Sequence, residues 1–163
     1  MTAIANVHDM GGFSSSTRLL LNAATGDFSA NGASVDCAPQ GAQRLGSALV
    51  FLTASSTQGV GETCTITLTV QDADDDGTGA PGAFADVAAD VLMGAADGAD
   101  GLPPAPALTI TDADADGNFQ FTLPLTRLRR HVRVTTDVVQ SNAANDANVC
   151  LCMTDGGNVL APR

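Results

Sequence analysis

The stretch "TCTITLTVQ", residues 63–71, decides the fold class. Cys64, Ile66, Leu68 and Val70 alternate with Thr63, Thr65, Thr67 and Thr69. Successive side chains of an extended strand point to opposite faces, so this spacing sets an apolar row against a hydroxyl row and predicts a half-buried strand. The β-branched threonines, isoleucine and valine also favour extended backbone.

Upstream, "SALVFLTA" (47–54) is a nearly continuous apolar run and predicts a strand covered on both sides. The intervening "QGVGE" (58–62) reads as a hairpin turn, with Gly59 and Gly61 permitting positive φ. Further strands are predicted at "STRLLLNA" (16–23), "ALTIT" (107–111), "NFQFTLPL" (118–125), "RLRRHVRVTTDVV" (127–139) and "NVCLCMT" (148–154), with a short strand and turn in "GDFSANGAS". The exception is "AFADVAADVLMGA" (83–95), which reads as a short helix or an extended arm. These seven or eight short strands indicate an all-β, antiparallel, jelly-roll-like sandwich. Residues 1–16 are assigned to an N-terminal arm and 17–163 to one β domain, with a Gly/Pro/Asp loop insertion at about 93–106.

Composition narrows the function. The 163 residues hold 18 acidic side chains against 7 arginines and no lysine, for a net charge of −11. Such a surface repels nucleic acid and argues against direct binding to it. The absence of Trp and Tyr removes the flat platforms that sugar-binding modules use. No basic-then-apolar leader and no run of about 18 apolar residues is seen, so the chain reads as a soluble protein made in a cytoplasm, with no membrane partner. Cys37, Cys64, Cys150 and Cys152 are then expected as thiols acting as small buried hydrophobes, in preference to a zinc site.

Two nearly identical acidic stretches follow strands. "QDADDDG" (71–77) carries Asp72, Asp74 and Asp76, and "TDADADG" (111–117) carries Asp112, Asp114 and Asp116. The spacing is that of the first half of a calcium loop, yet the closing twelfth position is Ala83 in one and Leu123 in the other. Turns stabilised by aspartate side chains are the preferred reading, with a weak Ca2+ or Mg2+ site as the alternative.

"RLRRHVR" (127–133) concentrates Arg127, Arg129, Arg130 and Arg133 around His131. As a strand it would project Arg127, Arg129, His131 and Arg133 from one face, a cationic stripe suited to an acidic face of another subunit. Neutralising aspartates of the same chain is the alternative. The histidines are His8 and His131, the one glutamate is Glu62, and no hydrolase, metalloprotease or nucleotide-binding motif is present, so no cofactor and no catalytic residue is assigned and the chain does not read as an enzyme.

The stretch "TCTITLTVQDADDDGTGAPGAFADV", an alternating strand, an acidic Gly-rich loop and an F-x-D-V return, resembles an element of tailed-phage capsid cement, or decoration, proteins of the jelly-roll type. "GNFQFTLPLTRLRRHVRVTTDV" resembles its companion, an apolar strand, a Leu-Pro, then a basic pair leading to an R-V strand. The resemblance implies a protein on the outside of an icosahedral head, a homo-oligomer, as a trimer, whose partner is the major capsid protein. Its departures are the 93–106 insertion, the histidine after the basic pair and the doubled Asp loop. A tail or head-tail connector protein and a calcium-dependent adhesin-like module are the rival classes.

Overall fold

The computed structural model describes residues 16–38, 45–88 and 107–158. Its strands are β1 (Ser16–Thr25), β2 (Phe28–Asn31), β3 (Val35–Asp36), β4 (Leu45–Ser56), β5 (Thr63–Ala73), β6 (Ala85–Asp86), β7 (Ala107–Thr111), β8 (Asp116–Leu123), β9 (His131–Gln140) and β10 (Asp146–Asn158). One sheet runs β1-β10-β4-β8; the other runs β2-β9-β5-β6, with β3 also on β9 and β7 also on β5. Every pairing between these strands is antiparallel. With the two-residue strands β3 and β6 set aside, the chain passes from one sheet to the other at nearly every turn, which is the jelly-roll arrangement. The exception is β5 to β7, which stay in one sheet.

The interior follows from strand parity. In β5, Cys64, Ile66, Leu68 and Val70 are 0–1% exposed while the threonines between them are half-buried on the outer side. β9 answers with Val132, Val134 and Val138, and β10 with Ala147, Val149, Leu151 and Met153. From β4 come Ala48, Val50, Leu52 and Ala54, and from β8 Phe121 and Leu123. Two inner faces of branched aliphatic side chains thus close on each other, with each fully buried side chain contributing about 1.5–3 kcal/mol.

Three expectations need correction, and one open alternative is decided. β4 alternates instead of being covered on both sides: Leu49 is half-buried and Phe51 is 37% exposed. Its apolar run misled because residues of either face can be apolar. The Gln58–Glu62 turn is not a hairpin, since β4 and β5 belong to opposite sheets, and of its glycines only Gly61 has positive φ (78°). At Gly59 a Cβ would lie 2.8 Å from Glu62 Oε2, so a side chain there would push the Glu62 carboxylate aside. Of the two readings of 83–95, the described part, residues 83–88, takes the extended one, with Ala85–Asp86 paired to β5, because Gln71 and Asp72 offer it a ladder. Finally, Leu125–Arg127 is a 3-10 turn, so β9 begins at His131 and not at Arg127. The expected 93–106 insertion and the arm, apart from Ser16, lie outside the described residues.

Ile66→Ala empties a fully buried position between the sheets and is expected to cost about 2–5 kcal/mol in urea unfolding. Thr67→Ala on the outer face of the same strand should stay within about 0.5 kcal/mol.

Candidate interaction site at the charged corner

Where β5 ends and β9 begins, the acidic and basic stretches are brought together. The β5–β9 register sets Gln71 beside Arg133, Asp72 beside Val132 and Ala73 beside His131. The chain entering β9 descends from the 3-10 turn through Leu128, Arg129 and Arg130, and must find partners for its backbone there. The Asp72 carboxylate supplies one, accepting the Arg129 N–H at 2.9 Å, while the Arg129 side chain lies 3.5 Å from Asp72 and 3.8 Å from Asp74.

Arg130 is the centre of the corner. Its guanidinium donates to both oxygens of Asp36, from Nε at 3.0 Å and from Nη2 at 2.7 Å, and donates through Nη1 to Asp75. This fork-on-carboxylate geometry is the one guanidinium is built for. The Asp36 carboxyl is held below its ordinary value of 3.8, first by the hydrogen bond from Arg130 and opposed by burial. Asp75 is also lowered, chiefly by the backbone N–H groups of Gly79 and Gly77. Those two glycines have φ of 95° and 93°, which aims their N–H groups back at the carboxylate.

Arg133 extends the network along the outer face. Its Nε donates to Gln71 Oε1 at 2.7 Å, and its guanidinium stacks 4.1 Å above the Phe84 ring. Gln71 Nε2 in turn donates to Asp86 at 2.7 Å, tying β6 to the corner. Arg127 stands exposed at the edge, beside a cleft of about 300 Å3 lined by Asp72, Asp86, Val87, Arg127 and Arg129. His131 does not project with the arginines; it is 3% exposed and its Nε2 has no hydrogen-bond partner among the described residues. The predicted one-faced stripe is therefore a folded corner, in which Arg129 and Arg130 neutralise aspartates of their own chain.

The two aspartate stretches perform different tasks. In the first, Asp75 Oδ1 accepts from Gly77 N at 2.6 Å and Gly79 N at 3.1 Å, and Asp76 Oδ1 accepts from the Thr78 N–H and hydroxyl at 2.8 and 2.7 Å. Asp72, Asp74 and Asp76 thus do not converge on a common point, since Asp72 faces Arg129 and Asp74 is largely exposed. The second stretch is a crossover from β7 to β8 with Asp112, Asp114 and Asp116 all exposed, and the Asp114 N–H closing a turn on Thr111 O at 3.2 Å. Among the described residues no three His, Cys, Asp or Glu side chains gather as a metal would require.

A second polar cluster holds the opposite end of β5. Glu62 accepts from Gly59 N at 2.8 Å, Asn142 Nδ2 at 2.7 Å and Asn145 Nδ2 at 2.8 Å, and the two asparagines hold its carboxyl below the usual range. Cys37 and Cys64 are buried as expected, but Cys150 and Cys152 are half-buried on the outer face, their sulfurs 3.9 Å apart. Asp36, Asp75, Gln71, Phe84 and Glu62 were not singled out as partners by sequence. Asp36 and Arg130 are 94 positions apart, with no local pattern to join them. Asp75 falls between the alternating positions of the calcium-like count, which drew attention past it.

No protein-family model and no curated protein matches the sequence. Among solved structures, the chain is similar to the infectious bursal disease virus VP2 subviral particle, with 14% identity and a TM-score of 0.39 over 89% of this chain and 33% of that one. The Gt strain of the same virus gives 13% identity and a TM-score of 0.43, over 90% of this chain and 34% of that one. Desmodium yellow mottle tymovirus gives 11% identity and a TM-score of 0.35, covering 92% of this chain and 88% of that one. The chain spans about a third of the length of the bursal disease virus chains.

Arg130→Gln should lower the melting temperature at pH 7, and the gap to wild type should close on acidification. Asp36 has a depressed pKa in the fold, so its contribution is complete above 3.8 and is lost as pH falls through the lower folded value. Melts recorded from pH 7 to pH 2 check this; a gap that stays constant throughout would contradict it. Separately, wild-type melts in excess chelator and in millimolar calcium are expected to coincide, whereas a site filled at 100 times its Kd would add about 2.7 kcal/mol.

Proposed function

We propose that this protein is a virion structural protein: a decoration, or cement, protein that adds to the outer surface of a phage head and ties neighbouring major capsid subunits together. The observation that carries the reading is the charged corner. The two stretches that resemble cement proteins are distant in sequence, yet they interlock there through Asp72–Arg129, Asp75–Arg130 and Gln71–Arg133. What they build is a polar surface tied down by hydrogen bonds and ion pairs, with Arg127, Asp74 and Asp86 exposed on it. A protein that clamps a lattice needs such a surface and no reacting groups.

Charge supports the same reading. At −11, free copies repel one another at long range, which opposes aggregation in the host cytoplasm before assembly, and they have no attraction for the packaged nucleic acid. In this reading the exposed Arg127 and the outward part of the Arg129 side chain meet carboxylates of the major capsid protein or of a sister copy in a trimer, and residues 1–16 supply an arm to the same neighbours. Rim charges of this kind act mainly through association rate and depend on salt.

Purified protein mixed with expanded, empty heads is expected to co-sediment at a saturating ratio and to raise the temperature at which the heads rupture. The double change Arg127→Glu with Arg129→Glu should weaken occupancy by about tenfold or more, and deletion of residues 1–12 should lower it too. Heads that sediment without the wild-type protein at micromolar concentration would overturn the proposal, as would rings or tubes formed by the protein alone.

A further inference from the structure

The outer face of the β1-β10-β4-β8 sheet differs from the rest of the surface. The register aligns Leu21, Cys150, Thr53 and Asn118 across the four strands, and Cys152, Phe51 and Gln120 in the next outward row. Leu21 is 64% exposed and Phe51 37%, and the two half-buried thiols lie between them. Among the described side chains, the charged groups at outward positions of this face are Asp116 and Asp146, both at one end. Away from that end the described side chains of this face are uncharged, so on a chain of net charge −11 a like-charged molecule can approach it with few carboxylates brought together.

Shape points to the same partner. Leu21 lines a mainly apolar groove of about 440 Å3 together with Thr53, Asn148, Val149 and Cys150, with the Asp116 carboxylate at its charged end. A contact about a two-fold axis requires one surface to carry both a protrusion and the hollow that receives it. Leu21 and the adjoining groove provide that pair on one face. We propose that this face is an interface between two copies of the chain, with the Leu21 side chain of each copy seated in the groove of the other.

The area sets the strength. Four strands spaced about 4.8 Å apart, over eight residues of about 3.3 Å each, give a face of roughly 500 Å2, so a pair buries on the order of 1,000 Å2. That is the lower end for a specific contact and implies a reversible, concentration-dependent pair, not a permanent one. The two carboxylates of this face, Asp116 and Asp146, lie at one end of it, so over the rest a cationic partner finds little to attract it. The inference stands apart from the capsid reading, which uses the charged corner of the other sheet.

Sedimentation velocity of the full chain under reducing conditions, from about 1 to about 500 μM, tests it. Particle mass is expected to double with concentration, and raising the salt should leave the doubling intact or favour it as repulsion between anionic rims is screened. Leu21→Asp should weaken the pairing by about tenfold or more, and so should Thr53→Asp. Both positions are exposed, so circular dichroism and melting temperature should match wild type. Arg127→Glu with Arg129→Glu, which addresses capsid occupancy, should leave the doubling unchanged. A mass that does not change with concentration would overturn the inference, as would a doubling that survives both aspartate variants.

Discussion

Two sheets share one interior, and that sharing governs the rest of the molecule. A strand can serve such an interior with every second residue only, so β4, β5, β9 and β10 each commit one parity mainly to apolar side chains and leave the other to the surface. Because the chain passes between the sheets at nearly every turn, its corners lie at the ends of the interior, where backbone groups leave their ladders and water is partly excluded.

Side chains from distant positions hold those corners. At one end of β5, Asp72 accepts the backbone N–H of Arg129, and Arg130 links Asp36 to Asp75. At the other end, Glu62 joins the Gly59 backbone to Asn142 and Asn145. A glutamate suits that position in a chain otherwise supplied with aspartates, because its additional methylene extends the carboxylate across the crossover. These polar ties fix where β5 enters and leaves the sandwich and thereby position the surface that Arg127, Arg129 and Arg133 present.

Much of the sheet architecture was legible in the sequence. The alternation in 63–71 appears residue for residue in the structure, because a half-buried strand imposes a period of two and little else does. The jelly-roll arrangement followed from the number and spacing of strands. Harder to read were the places where local sequence is compatible with two backbones. "RLRRHVR" has strand-like alternation, but the preceding Pro124 and the demand for a crossover turn its first half into a corner. "SALVFLTA" is apolar on both parities, so hydrophobicity alone could not tell which parity faced inward. The site was legible as an inventory of aspartates and arginines and not as a set of pairs, since the pairing of Asp36 with Arg130 is settled by tertiary register.

The pairing of β1 with β10 bears on how the chain reaches this state. Ser16 lies opposite Thr154 and Thr25 opposite Asp146, so the first of the described strands has its sheet neighbour in the last of them. During synthesis β4 can meet β8 before β10 exists, but its other edge then stays open, and β1 has no ladder to join. Closing the first sheet is therefore a late event with a large loop to close, which favours slow folding and a transient species with exposed strand edges. Refolding is expected to be limited by this closure, and the strong net negative charge, by keeping such species apart, protects the chain during the interval when its edges are unpaired.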